Sequence, residues 1–250
     1  MLKRILFLSL CLAFSLSQTA VAEEGLAPLL KKITNRLNSY PSLDWTYTVT
    51  TKTCEMDKEW QPKKTSIIAA HVRDADGRVS GEVIKAEEIE DGVTIDITAK
   101  IADRIKEQIE SANKQRAEEG DQEGSDDSIE ALLPFNDKKR DRYKFKQLDD
   151  AAIDGKPVFT IEANAKEKDE QLFEGKFYIA KSTYDILKAR ISPSKNPKFV
   201  KEMEMDIDFE VLPEGKFFRR KSRTRVSGGI LFKRFRVIAE EEYSDVKVLD

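Results

Sequence analysis

The chain has 250 residues, of which 36% are charged and 8% aromatic, and a formal net charge of −3 at pH 7. So mild an acidity gives no reason to expect nucleic-acid binding. One histidine, His71, and two cysteines, Cys11 and Cys54, are too few for a zinc centre, and any Ser-His-Asp or Cys-His machinery would have to use His71 itself.

The first residues have the three parts of a secretory signal peptide. Lys3 and Arg4 form a positive start, Ile5 to Leu16 a short apolar run, and Ala20-Val21-Ala22 a small-residue cleavage site. The run is shorter than the roughly 20 residues of a membrane span. Cleavage is expected after Ala22, placing the rest outside the cytoplasm and moving the formal charge from −3 to −5 as Lys3 and Arg4 leave. The alternatives are lipidation at Cys11, disfavoured by the bulky Leu10 before it, and an uncleaved anchor. After processing only Cys54 remains, so no intramolecular disulfide is expected and stability must come from core burial. Residues 23–250 are read as one domain.

Leu26, Leu29, Leu30, Ile33, Leu37 and Tyr40 recur at helical spacing, which predicts an amphipathic helix ending near Pro41. Trp45, Tyr47 and Val49 alternate with polar residues and predict a strand over about Leu43 to Thr53. A second strand is expected over Thr65 to Arg73, with His71 as a structural residue in it. Asp76-Gly77 predicts a hairpin turn into Val79 to Ala86. Ile97, Ile101, Ile105 and Ile109 recur every four residues, predicting a helix over Thr98 to Glu118. An acidic stretch, Glu119 to Asp127, follows, and Ile129 to Phe135 is expected to re-enter the core. Together 97–135 make a helical insert.

From Asp141 onward the pattern is almost all strand. Arg142 to Leu148 comes first, and Asp154-Gly155 predicts the next turn. Phe159 and Ile161, then Phe173, Phe177 and Ile179, share strand parity, and Tyr184 to Ile191 follows. Met203, Met205, Ile207, Phe209 and Val211 alternate with five acids, a half-buried strand. Across the turn Pro213-Glu214-Gly215, a register with Leu212 opposite Phe217 sets Glu210, Asp208, Asp206 and Glu204 against Arg219, Lys221, Arg223 and Arg225. The acidic row then reads as a cross-strand ladder and not as a metal site. Ser227 to Ile230 is expected to form a second hairpin turn, which would place Arg234 and Arg236 opposite Arg223 and Lys221 and make that corner electropositive.

The C-terminal half resembles a known family. Phe173 to Ile179 with Tyr184-Asp185-Ile186-Leu187-Lys188-Ala189, then Lys195-Asn196-Pro197-Lys198-Phe199, the long charged hairpin, Arg225 to Phe235 and Glu242-Tyr243-Ser244-Asp245 are similar to the outer-membrane lipoprotein-sorting (LolA-like) proteins, in a divergent branch. The resemblance spans about Arg142 to Val248 well and the N-terminal third loosely.

The resemblance implies an α+β, mainly antiparallel β fold, a curved incomplete β-barrel closed by helices, holding acyl chains in an apolar cavity. The expected cavity wall is Trp45, Tyr47, Val49, Phe159, Ile161, Phe173, Phe177, Ile179, Met203, Met205, Ile207 and Phe209. Leu29, Ile33 and Leu37 form the lid. In the family an inner-wall arginine bonds the lid, and Arg220, with the inward parity of Phe218 and Val226, is the candidate.

The expected function is a periplasmic carrier or chaperone for lipoproteins or lipids, monomeric and without cofactor. Its partners would be acyl chains, with envelope membrane proteins as further candidates. The alternative is a sensor or protein-interaction domain on the same fold. An enzyme is not expected: the sequence has no nucleophile elbow, metal-ligand cluster or Gly-rich phosphate loop.

Overall fold

A computed structural model describes residues 25–76, 78–119, 132–137, 139–230 and 233–249. The expected signal peptide, Cys11, and the stretch from Gly120 to Ala131, with most of the acidic loop, lie outside the described residues.

The described residues build one open, wholly antiparallel sheet of 11 strands and two α-helices. Helix α1 (Leu26–Leu37) is followed by β1 (Trp45–Met56), β2 (Pro62–Ala75), β3 (Arg78–Glu90) and β4 (Val93–Asp96). Helix α2 (Thr98–Glu119) leads towards the second half: β5 (Tyr143–Ile153), β6 (Lys156–Ala165), β7 (Phe173–Ala180) and β8 (Ile186–Pro193). Then come β9 (Val200–Val211), β10 (Phe217–Ile230) and β11 (Lys233–Val248). The spatial order is β4-β3-β2-β1-β11-β10-β9-β8-β7-β6-β5. Two meanders are therefore sewn together by one long-range pairing, β1 with β11.

Turn chemistry sets the hairpins. Asp154 and Gly155 both have positive φ, 49° and 76°, the backbone of a two-residue turn matched to strand twist. Asp91 and Gly92 repeat this at 51° and 78° and create β4, a strand the apolar pattern alone does not announce. The sheet's β3 edge is closed by side chains of α2. Thr98 Oγ1 accepts from the Ala86 N–H at 2.9 Å, and Asn113 bonds both the N–H (3.0 Å) and the carbonyl (2.7 Å) of Val79. Here α2 does for β3 what a further strand would do, and blunts an edge open to aggregation.

The core lies on one face of β5 to β10. Leu29 and Ile33 of α1, with Leu133 and Phe135 of the returning connection, cover Ile161, Phe177, Ile179 and Ile207, and all eight are 0–1% exposed. That connection has to carry the chain from the β4 edge to the β5 edge, and Leu133 to Phe135 re-enter the core as expected.

The charged ladder has the expected register for three of four pairs: Asp208 opposite Lys221, Asp206 opposite Arg223 and Glu204 opposite Arg225. The fourth fails because Arg220 is an extra residue in β10. Glu210 lies opposite Phe218, and Arg219 opposite Phe209. The ion pairs run across the sheet in alternating sign. Arg190 on β8 meets Asp206 on β9 at 2.8 Å, while Arg223 on β10 meets Glu240 on β11 at 3.6 Å. Asp206→Arg is accordingly expected to cost about 0.5–1 kcal/mol, the scale of exposed pairs. Adding Arg190→Asp should restore more of it than adding Arg223→Asp. Urea double-mutant cycles check this, and equal coupling to both arginines would refute the assigned partner.

The expected turn at Ser227 to Ile230 is a correction. Strand β10 runs on to Ile230, which pairs with Lys233, so Arg236 faces Ser227, Arg234 faces Gly229, and Arg223 and Lys221 face Glu240 and Glu242. The like-charge apposition does not form. Gly228 is there for close approach: a Cβ would sit 2.2 Å from the Phe199 carbonyl oxygen and 2.4 Å from the Phe235 ring.

Candidate functional site

The structure divides the expected cavity wall into two places. Phe159, Ile161, Phe177, Ile179, Met205, Ile207 and Phe209 are buried together, with Phe173 and Met203 packed at the margin. The lid residues Leu29 and Ile33 belong to the same cluster, and Leu37 lies against it. Trp45, Tyr47 and Val49 are not part of it. Trp45 instead packs on Tyr47 (ring centroids 4.3 Å) and Phe218 (5.9 Å), and Tyr47 on Tyr243 (5.1 Å). The physical reason is topological: β1 joins the sheet through β11, three strands away from β8.

The hold on α1 is amphipathic. Its apolar stripe enters the core, and side-chain bonds tie its polar side down. Asp185, at the β7–β8 turn, accepts from Arg36 Nε and from the Tyr40 hydroxyl, both at 2.6 Å. Thr34 Oγ1 donates to the Phe135 carbonyl at 2.6 Å, and Lys32 reaches the Tyr184 hydroxyl at 3.1 Å. Tyr40 also stacks on Phe217 at 4.8 Å, within 6° of parallel. Burial alone would raise the Asp185 pKa, but hydrogen bonds from Thr183, Tyr40 and Arg36 outweigh it and hold the carboxyl below its ordinary value. Burial, then the bond to Asp185, pushes the Tyr40 hydroxyl well above the ordinary tyrosine range.

Beside this wall is a polar group that the alternating pattern hid. The bulge at Arg220 reverses parity, so the inward arginine is Arg219 and not Arg220. Arg220 is 63% exposed and pairs with Glu210 on the outside. Arg219 meets Glu241 at 2.7 Å and the Tyr243 hydroxyl at 2.8 Å. Its buried Nε has no hydrogen-bond partner among the described residues. Nothing in the row Arg219, Lys221, Arg223, Arg225 sets one apart from the others, so no sequence signal could have singled it out. Asp185 reads from the sequence only as part of the expected strand Tyr184 to Ile191, whereas it precedes β8 in the turn after β7.

A cleft of about 540 Å³ opens elsewhere, at the end of the sheet where β9 begins and β10 ends, and Trp60, Phe199, Phe235, Lys201, Arg234 and Arg236 are among its lining residues. Among the described residues no three His, Cys, Asp or Glu side chains group to hold a metal ion, and no helix is long and apolar enough to cross a membrane.

Fold and site thus define an open antiparallel sheet with an apolar wall under a side-chain-latched helix. The chain belongs to a family of unknown function, DUF5686, whose model matches residues 100–246. No curated protein matches it. Among solved structures it is similar to lipoprotein-sorting and LolA-superfamily domains, as the sequence resemblance led one to expect. An outer membrane lipoprotein-sorting protein domain from Vibrio parahaemolyticus is 13% identical with a TM-score of 0.41, covering 88% of this chain and 91% of that one. A LolA superfamily protein from Nitrosomonas europaea is 12% identical with a TM-score of 0.34, covering 90% and 93%. The MucA/MucB complex of Pseudomonas aeruginosa contributes a chain 9% identical with a TM-score of 0.26, covering 90% and 99%. All three scores are below 0.5, too distant a likeness to carry function.

Proposed function

We propose that this protein is a non-enzymatic, periplasmic binding domain that takes acyl chains of lipids or lipoproteins between α1 and the apolar wall of β6 to β9. One observation carries the reading: α1 completes the core with a narrow stripe, Leu29 and Ile33, while side-chain bonds centred on Asp185 hold its polar side. A helix docked in this way is a removable cover. Breaking a few side-chain bonds exposes an apolar trough without disturbing a strand ladder. Arg219, with an unused N–H on the same sheet face as Phe209, would meet the polar end of the ligand. Met203 and Met205 would let the wall adapt to different chains.

The test is saturable uptake of a fluorescent fatty-acid probe by the purified chain. Ile207→Asp, which puts a charge on a fully buried wall position, should abolish uptake. Met205→Ala, a milder change, should weaken it with the fold intact. A wild type that takes up no probe would remove the acyl-chain reading.

A further inference from the structure

The cleft at the far end of the sheet belongs neither to the apolar wall nor to the latch of α1. Three cations line it, Lys201, Arg234 and Arg236, against one carboxylate, Glu202. Lys201 and Arg234 are exposed and make no ion pair among the described residues. This is a local excess of positive charge on a chain whose formal charge is −3.

Two bulky aromatic residues flank the cleft in left-handed backbone, Trp60 at φ 62° and Phe199 at φ 71°. Such conformations persist in large side chains only where the surroundings over-determine them. Here they do. Trp60 sits in a turn held by Asp57, with the Arg225 guanidinium 3.7 Å over its ring. Phe199 is fixed by the Gly229 N–H, which donates to its carbonyl at 3.0 Å, and by the absence of a side chain on Gly228. The fold thus spends a strained residue and two glycines to hold a phenylalanine that stays 49% exposed. Ile230, next to Gly229, is 50% exposed. Large apolar side chains left in water beside unpaired cations are the make-up of a surface that meets a bilayer: the apolar groups enter the interfacial layer while the cations meet phosphates.

We propose that this end of the sheet is a docking surface for a bilayer bearing anionic phospholipid headgroups. Phe199 and Ile230 enter the interface, and Lys201, Arg234 and Arg236 bind lipid phosphates in and around the cleft. The proposal does not depend on the acyl-chain reading, because the two surfaces share no residue.

Vesicle co-sedimentation of the purified chain tests it. The chain should pellet with vesicles containing phosphatidylglycerol and stay in solution with phosphatidylcholine alone. Binding should be lost at about 1 M salt, where the Debye length is roughly 3 Å. Each Lys or Arg near an anionic surface is worth roughly 5-fold in binding, so K201E/R234E should weaken it by at least about 25-fold. Phe199→Asp, whose new side chain tolerates left-handed backbone, should also weaken binding. Both variants should keep wild-type thermal unfolding and fatty-acid probe uptake, which separates failure here from failure of the carrier reading. The proposal is overturned if the wild type does not prefer anionic vesicles, or if the folded charge-reversal variant binds them as well as the wild type. It is overturned equally if millimolar inorganic phosphate displaces the vesicles, or if poly-glutamate captures the chain and vesicles do not.

Discussion

Alanine at Phe177 is expected to lower the free energy of unfolding by about 3–5 kcal/mol, the cost of deleting a fully enclosed aromatic ring. The ring is 0% exposed, meets Phe135 edge-on at 5.1 Å, and lies in register between Ile161 and Ala189, which are also 0% exposed. None of those neighbours can move in to fill the space, since two sit on paired strands and Phe135 is pinned by the Thr34 bond to its carbonyl. Urea unfolding measures the loss. A cost below about 1.5 kcal/mol would mean that the wall around Phe177 is already loosely packed. Met205, 8% exposed and nearer the rim, is the sharper comparison. In tight packing Met205→Ala costs about 2–5 kcal/mol. If α1 leaves room for a ligand, the cost falls below that range while probe affinity drops. A gradient, dear at Phe177 and cheap at Met205, is what the proposed carrier requires.

Alternation read from the sequence carried most of the sheet, because a strand with one buried face leaves its period in the residues. The acid row of β9 is the clearest case, and three of its four partners on β10 were deducible from charge. What alternation cannot carry is an interruption of its own period. The extra residue at Arg220 leaves no compositional trace, yet it turns Arg219 inward and sends Arg220 out, so the inward arginine was placed one residue too far. The same limit governs Gly228-Gly229. Two glycines in a row are the usual sign of a turn, and only the approach of Phe199 and Phe235 shows that they serve a strand. Strand β4 was missed for the opposite reason: Asp91-Gly92 carried the turn signal, but the four residues after it hold only two apolar ones. The grouping of Trp45, Tyr47 and Val49 with the main wall failed because parity says which residues share a strand's face and nothing about which strands are neighbours. That information lies in the β1–β11 pairing, made between residues nearly two hundred positions apart.

The latch gives the second large effect. Asp185→Ala removes the acceptor shared by Arg36 and Tyr40, and the Asp185 side chain is only 13% exposed, so little water is at hand to replace it. Hydrogen bonds to charged groups contribute about 1.5–3 kcal/mol each, and Arg36, 34% exposed, recovers part of its share from solvent. The docking of α1 should therefore weaken by about 2–3 kcal/mol, read as a roughly 30- to 150-fold faster amide exchange over Leu26–Leu37 with the strands unaffected. Asp185→Asn keeps a carbonyl for the Tyr40 hydroxyl and should fall between the two. The pH dependence follows from the directions of the two shifts. The folded-state pKa of Asp185 is depressed, so its contribution is complete above the unfolded value of about 3.9 and is lost only as pH falls through the lower folded value. The folded-state pKa of Tyr40 is raised, so its contribution holds below about pH 10 and declines above it. Exchange in α1, corrected for intrinsic rates, should be flat from about pH 5 to 9 in the wild type. A rise in α1 exchange already at pH 6, or equal loosening of strands and helix in Asp185→Ala, would show that Asp185 is not what holds the cover down.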